Sequence, residues 1–208
     1  MQGTMNSETH WRTVFESRPS TAVSWYQPHL EVSLGMISRT GVKQECRLLD
    51  VGGGDSTLVD DLVQRGFSGV TVLDIATSAI GRVKQRLGEA SLGVVWKTGD
   101  ILLTPLPDRH FDLWHDRAVF HFFVEVQSRQ EYVSKASKAI KSNGHLIIAT
   151  FASDGPDRCS SLPTMRYTPS GLAEEFKEDF TLIESQPESH MTPQGKEQRF
   201  IYCRFRRK

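Results

Sequence analysis

Three glycines, Gly52, Gly53 and Gly54, stand directly after the apolar run Arg47-Leu48-Leu49-Asp50-Val51 and before Asp55. Backbone without side chains turns tightly there and lets a ligand lie against the main chain. Asp74 closes a second apolar run, Val70-Thr71-Val72-Leu73, about 20 residues further on, where a carboxylate can accept hydrogen bonds from both hydroxyls of a ribose. Gly99-Asp100-Ile101 follows a third run, Val94-Val95-Trp96. An acid beside an apolar residue at that place can take an adenine amino group and cover one ring face. Each feature alone has an ordinary structural reading: a turn for the glycines, a helix-capping acid for Asp74, a surface loop residue for Asp100. In this order, each at the carboxyl end of a strand, they point together to an adenosine site.

These residues need a scaffold that alternates strands and helices, and the chain supplies one. Thr57 to Arg65 has helical spacing, with Leu58, Leu62 and Val63 on one face, and ends at Gly66. Ser78 to Leu87 is predicted as a helix capped by Thr77 or Ser78 and stopped at Gly88. Phe111 to Trp114 reads as the fourth strand. Ser128 to Lys141 reads as a helix ended by Asn143-Gly144, and His145 to Phe151 as a strongly apolar fifth strand. A helix from Thr168 to Glu178 has Pro169 in its first turn. Two last strands, Phe180 to Glu184 and Phe200 to Phe205, are joined by a polar loop without a crossover helix, which predicts antiparallel pairing. The expected fold class is α/β: a Rossmann-like three-layer sandwich on a seven-stranded, mostly parallel sheet with an antiparallel last strand. Ligands of such sheets sit beyond the carboxyl ends of the strands, at the switch in strand order. Residues 1–45, with Trp11, Phe15, Trp25 and Tyr26, fall outside the alternation and are expected to form a helical cap on a core of residues 46–208.

Composition narrows the function further. The chain has 208 residues, with Lys plus Arg at 25 and Asp plus Glu at 25, so its formal charge is zero. Binding nucleic acid through phosphates needs a basic excess, which only the terminal Arg204, Arg206, Arg207 and Lys208 supply. No nucleic-acid partner is expected. Three dispersed cysteines, Cys46, Cys159 and Cys203, suit free thiols in a reducing compartment. No apolar stretch has membrane length, and the polar first ten residues do not resemble a signal peptide. A cytoplasmic protein, monomer or homodimer, is expected. Nothing resembles a zinc site.

The adenosine can belong to a dinucleotide or to S-adenosylmethionine. A dinucleotide loop wants a further glycine three residues after Gly54, where this chain has Thr57, and Asp55 puts negative charge where a pyrophosphate would lie. S-adenosylmethionine carries a sulfonium and an ammonium, so acids along the site help: Asp50 near the amino-acid end and Asp74 near the ribose. With this step, the chain resembles the class I S-adenosylmethionine-dependent methyltransferases. Asp50-Val51-Gly52-Gly53-Gly54 resembles their first motif, Asp74 their ribose acid, Asp100 their adenine-side acid, Phe111 to Arg117 their fourth motif, and Lys141 to Leu146 their turn before strand five. The likeness covers Arg47 to Phe151. Ser56 stands where the family has a third loop glycine, which leaves the loop's geometry open. The resemblance implies S-adenosyl-L-methionine as cofactor, S-adenosyl-L-homocysteine as product, and a cofactor site made of Trp25, Asp50, Gly52, Gly53, Gly54, Asp74, Ile75, Asp100, Ile101 and His115. The stretch His10-Trp11 through Trp25-Tyr26-Gln27 is similar to the cap of a bacterial subgroup and of some protein-lysine methyltransferases. The latter have Asp-Lys-Gly where this chain has Asp116-Arg117-Ala118.

The acceptor wall is expected at His115 to Phe123, which mixes titratable groups with aromatic rings able to face a sulfonium. Asp116, His115 and His121 are the candidate catalytic residues, the histidines because imidazole titrates near neutrality. Arg117, Phe120, Arg166 and His190 are the candidate substrate contacts. Single histidines are also common structural residues, and the phenylalanines can equally be core. Cys159 could be a soft ligand for a metalloid acceptor or a buried inert thiol. The leading expectation is methylation of a small molecule. The rivals are a protein-lysine methyltransferase, a non-catalytic S-adenosylmethionine-binding protein, and, weakest, an NAD-dependent oxidoreductase.

Overall fold

A computed structural model describes residues 2–208, with side chains from Ser7 onward. Seven strands form the continuous path of the main sheet: β1 (Arg47–Val51), β2 (Gly69–Asp74), β3 (Val95–Thr98), β4 (Phe111–Arg117), β5 (Ile140–Ala152), β9 (Phe180–Met191) and β10 (Glu197–Arg207). Their order is β3-β2-β1-β4-β5-β10-β9. The β1 to β5 neighbours pair in parallel, and β10 runs antiparallel to both β5 and β9. An eighth, two-residue strand, β8 (Arg166–Tyr167), joins alongside β5, and β6 (Arg158–Cys159) pairs with β7 (Leu162–Pro163) as a separate hairpin. The direction of the strand order reverses between β1 and β4, and both strands end at that point in residues of interest, Val51 opposite Asp116.

Side-chain alternation along the strands builds two apolar layers. Leu48, Leu113, Ile147 and Ala149 face one side, against α2 (Glu31–Thr40) and α3 (Leu58–Gln64). Leu49, Trp114, Leu146 and Ile148 face the other, against α5 (Val126–Ala139) and α6 (Pro169–Phe176). The helix after β2, α4 (Thr77–Leu87), sends Val83 into the first layer. The N-terminal helix α1 (Gln2–Ser17) lies apart from both layers, and Phe15 packs on Ala76 and Ala79 at the start of α4. Arg82 of α4 donates to the carbonyls of Phe15 and Arg18, which favours the C-terminal end of α1. Of the segment before Cys46, α1 and the turn through Gln27 lie over the strand ends, while α2 contributes Leu34, Met36 and Ile37 to the core itself.

The sequence expectations differ from the structure in four places. The cap of α4 is neither Thr77 nor Ser78; the Asp74 carboxylate accepts from the Ala76 amide at 2.8 Å instead. Helix α5 stops at Ala139, and Asn143, in the left-handed region at φ 63°, makes an irregularity within β5 rather than a free turn. Strands β9 and β10 run far past their apolar cores, so His190 lies in a strand and not in a loop. Residues 184–191 lack apolar alternation because β9 is an edge strand, where Pro187 is also tolerated. Ser56, finally, is not among the residues of positive φ, so the loop needs no third glycine at that place.

Asp116, next to the last residue of β4, is a structural hub. Its carboxylate accepts from Tyr132 Oη at 2.5 Å and from the amides of Val119 and Phe120 at 2.9 and 3.1 Å. Burial pushes this carboxyl up to about 6, against the lowering effect of the same hydrogen bonds. Replacing it leaves buried donors unpaired, each costing about 1–3 kcal/mol. Asp116→Ala is expected to lower unfolding free energy by about 3 kcal/mol, and Asp116→Asn by less, in denaturant titrations. Wild-type midpoints for the alanine variant would show that the carboxylate does not hold the loop.

Candidate active site

Two neighbouring cavities lie at the carboxyl edge of the sheet, and Phe15, Trp25, Val51, Gly52 and Arg117 border both. The larger holds about 990 Å³ when the open space at its mouth is counted. The polar residues expected for an adenosine lie in it: Asp74 with Ile75, and Asp100 with Ile101. The smaller cavity brings together Asp50, Gly52, Gly53 and His115.

The glycine loop is shaped by the acids around it. Gly52 has φ +69° and donates its N–H to the Leu73 carbonyl at 2.7 Å, locking the end of β1 to β2. A Cβ on Gly53 would stand 2.3 Å from Asp50 Oδ2, and one on Gly54 would stand 2.4 Å from Asp74 Oδ2. Two of the three glycines therefore make room for the two carboxylates. Gly54, expected to touch the cofactor, borders neither cavity; its missing side chain leaves room for Asp74.

The carboxylates differ in their company. Asp50 Oδ1 pairs with His115 Nδ1 at 2.7 Å, while Oδ2 is buried without a partner. Among the described residues Asp74 accepts the amides of Ala76 and Gly54 and has no cation beside it, and burial pushes it up to about 7. Asp100 Oδ1 accepts from the Leu102 amide at 2.8 Å, so it is a loop-capping acid and a cavity wall at once. Asp55 is not a free charge facing a ligand: its side chain is buried between Arg82 and Arg86 at 3.3 and 3.2 Å. The repulsion expected from it against a pyrophosphate is thus already neutralised, and the charge argument rests on Asp50 and Asp74.

These residues fit S-adenosylmethionine. A buried carboxylate oxygen without a partner suits an ammonium, backbone cleared by glycine suits a close ligand, and two acids with apolar neighbours suit an adenosine. Trp25 and Gly52 border both cavities, and His115 borders the smaller one beside Asp50, to which it is bonded.

The expected acceptor side is largely revised. His115 bonds Asp50 with one nitrogen and Ser33 Oγ with the other at 2.9 Å, so both nitrogens are engaged within the protein. His121 is fully buried, its ring lies 4.7 Å from Phe151, and burial with the Arg117 charge pushes it down to about 3; it stays neutral and borders neither cavity. Asp116 turns away into the opposite layer, and Phe120 packs there on Tyr132, Tyr167 and Phe176. Arg166 is exposed and donates to the Gly155 carbonyl. His190 bonds the Ser24 carbonyl at 2.8 Å and Gln27 at 3.0 Å, tying β9 to the cap instead of meeting a substrate. Of the four expected substrate contacts only Arg117 lines the cavity. Around it stand Trp11, Phe122, Phe151, Cys159, Gln198 and Phe200. Burial holds the Cys159 thiol up near 11, so it is protonated at neutral pH. Phe200 and Gln198 were missed because β10 reads as an ordinary terminal strand; only its pairing with β5 carries it to the ligand edge.

Residues 49–148 match a family model described as a methyltransferase domain. They carry the acids, the glycine loop and the Arg117 stretch: this part of the chain is a methyltransferase domain, and its residues fit S-adenosylmethionine as the methyl donor. Among relatives, human EEF1A lysine methyltransferase 2 is 22% identical over 199 residues, covering 88% of this chain and 78% of that protein. The ubiquinone/menaquinone biosynthesis C-methyltransferase UbiE of Roseobacter denitrificans is 28% identical over 109 residues, covering 51% of this chain and 42% of that protein. Among solved structures, the Burkholderia thailandensis 1,6-didemethyltoxoflavin-N1-methyltransferase, with S-adenosylhomocysteine bound, has a TM-score of 0.70 at 20% identity, covering 98% of this chain and 84% of that one. At such identity the likeness is one of fold.

Two outcomes are expected. Asp74 holds its proton more tightly folded than unfolded, so ligand-free protein loses stability from this group as pH rises from 3.8 toward about 7. Ribose hydroxyls need the ionised carboxylate as acceptor. Calorimetry should therefore show S-adenosylhomocysteine affinity rising with pH and levelling above about 7. Asp74→Asn should bind at least about tenfold more weakly, close to 1.4 kcal/mol, with a flatter pH dependence. Affinity in the variant that matches wild type at every pH removes Asp74 from the ribose. Separately, Gly54→Ala should weaken the same binding, because its Cβ displaces the Asp74 carboxylate; unchanged binding would show that the carboxylate moves freely.

Proposed function

We propose that the enzyme methylates a small, largely apolar acceptor enclosed between the sheet edge and the N-terminal cap. One observation carries this reading: Trp11, Phe15 and Trp25 of the cap close over the same cavity that holds Asp74 and Gly52. Trp11 packs 5.8 Å from Trp25 and 5.2 Å from Phe122, centroid to centroid, so the cap and the loop after β4 form one aromatic wall. Aromatic faces attract a sulfonium and exclude water from a methyl in transfer.

The chain's own residues then have distinct roles. Asp74 and Asp100 would orient the adenosine, and Asp50, held by His115 and Ser33, would orient the amino-acid tail. The cofactor supplies an electrophilic methyl group. Among the described residues bordering the larger cavity, Asp74 and Asp100 belong to the adenosine and Cys159 is protonated, which supports catalysis by proximity and alignment with an acceptor that needs no protein base.

A second reading, protein-lysine methylation, is favoured by the likeness to human EEF1A lysine methyltransferase 2 across most of the chain. Incubation with methyl-labelled S-adenosylmethionine and a cell extract separates the two. The label is expected in the low-mass fraction; label confined to a protein band would replace the enclosed-acceptor reading with the second one.

A further inference from the structure

Arg117 is a buried cation with spare hydrogen-bonding capacity in an aromatic chamber. Its side chain is only 7% exposed. Nε donates to Tyr202 Oη at 2.8 Å and Nη1 to the Trp25 carbonyl at 3.1 Å, while the guanidinium lies 4.7 Å over the Phe200 ring. Nη2 is buried and has no hydrogen-bond partner. Glu188 is the nearest counter-charge at 3.7 Å, beyond hydrogen-bond distance, and its two oxygens already accept from Gln27 and Tyr202. The cation is thus fixed in direction by three contacts, and both N–H groups of Nη2 are left for something else.

Its surroundings point to the acceptor. Phe200 beneath the guanidinium, and Cys159, whose thiol feels its charge, border only the larger cavity. Gln198 borders the same cavity and has a buried Oε1 without a partner. An apolar chamber with one oriented cationic donor and one spare carbonyl suits a flat ring bearing an ionised oxygen. A charge-assisted hydrogen bond in such a place is among the stronger polar contacts available.

We propose that Arg117 is a specificity-determining residue that recognises a carboxylate or other ionised oxygen on a planar aromatic acceptor, with Gln198 meeting a second polar group of the same ring. The proposal rests on the enclosed-acceptor reading and names its substrate class. Arg117 also borders the smaller cavity, so the test must separate acceptor from cofactor tail.

Fluorine NMR of the full chain saturated with S-adenosylhomocysteine provides it, using 4-fluorobenzoate and 4-fluorotoluene as probes. Wild-type protein is expected to bind the benzoate at least about tenfold more tightly than the toluene. Arg117→Met should lose about tenfold for the benzoate while the toluene and S-adenosylhomocysteine change by less than about twofold; Arg117→Lys should fall between. Equal binding of the two probes to wild-type protein overturns the proposal whatever the variants do. So does a variant that loses S-adenosylhomocysteine affinity but keeps that for 5′-methylthioadenosine, which lacks the amino-acid tail, because Arg117 then serves the cofactor. If neither probe binds at millimolar concentration, the enclosed-acceptor reading fails and the proposal falls with it; if both bind equally, only the ionised-oxygen subsite fails.

Discussion

The structure depends on bringing two carboxylates against bare backbone at the ends of β1 and β2. Asp50 and Asp74 sit 2% and 6% exposed, each within contact of a glycine that could not carry a side chain. Burying a carboxylate is costly unless hydrogen bonds or a ligand compensate. Asp50 is compensated on one oxygen by His115 and left open on the other. Asp74 has only two amides, and its affinity for a proton rises accordingly. The fold thus carries a local electrostatic deficit that a cationic, hydroxyl-rich ligand relieves. The adenosine of S-adenosylmethionine and its charged tail have this character, and the methyltransferase domain match covers the same residues.

The rest of the molecule holds that edge in place from both sides. Arg82 and Arg86 neutralise Asp55 beneath the loop, and Arg82 also grips the end of α1. On the other side, Arg117, Tyr202, Glu188, Gln27 and His190 form a connected polar network between β4, the β9–β10 pair and the segment from Ser24 to Gln27. The cap therefore rests on a tryptophan–phenylalanine cluster and on hydrogen bonds from strands that lie late in the sequence. This arrangement explains why the last two strands are long: their polar outer halves reach the cap. Ala118, after β4, adopts φ 70°. Its amide bonds the Ala149 carbonyl at 2.9 Å, and that bond holds an L-residue in a conformation it otherwise avoids.

Much of this was legible from residue order. The alternation of apolar runs with helical spacing, the glycine run and the acids at strand ends defined an α/β sheet with a glycine loop and carboxylates along one edge, because strand period, glycine freedom and carboxylate charge are local properties. The acceptor side was not legible. Asp116, His115 and His121 look like catalytic groups in a line of sequence, yet a strand sends neighbours to opposite faces. Asp116 consequently bonds Tyr132 in one layer while His115 bonds Asp50 at the site, and the backbone after β4 turns Phe120 into the core and Phe122 into the cavity.

What the sequence determined alone is the scaffold and the placing of the glycine loop and the acids along consecutive strand ends. What only the tertiary structure decided is which groups meet them across the larger cavity. There Trp11 and Trp25 from the first helix and turn meet Phe122 and Arg117 after the fourth strand, and Gln198 and Phe200 from the last. Groups so distant along the chain become neighbours only through strand order and the antiparallel return of β10, which no local pattern encodes.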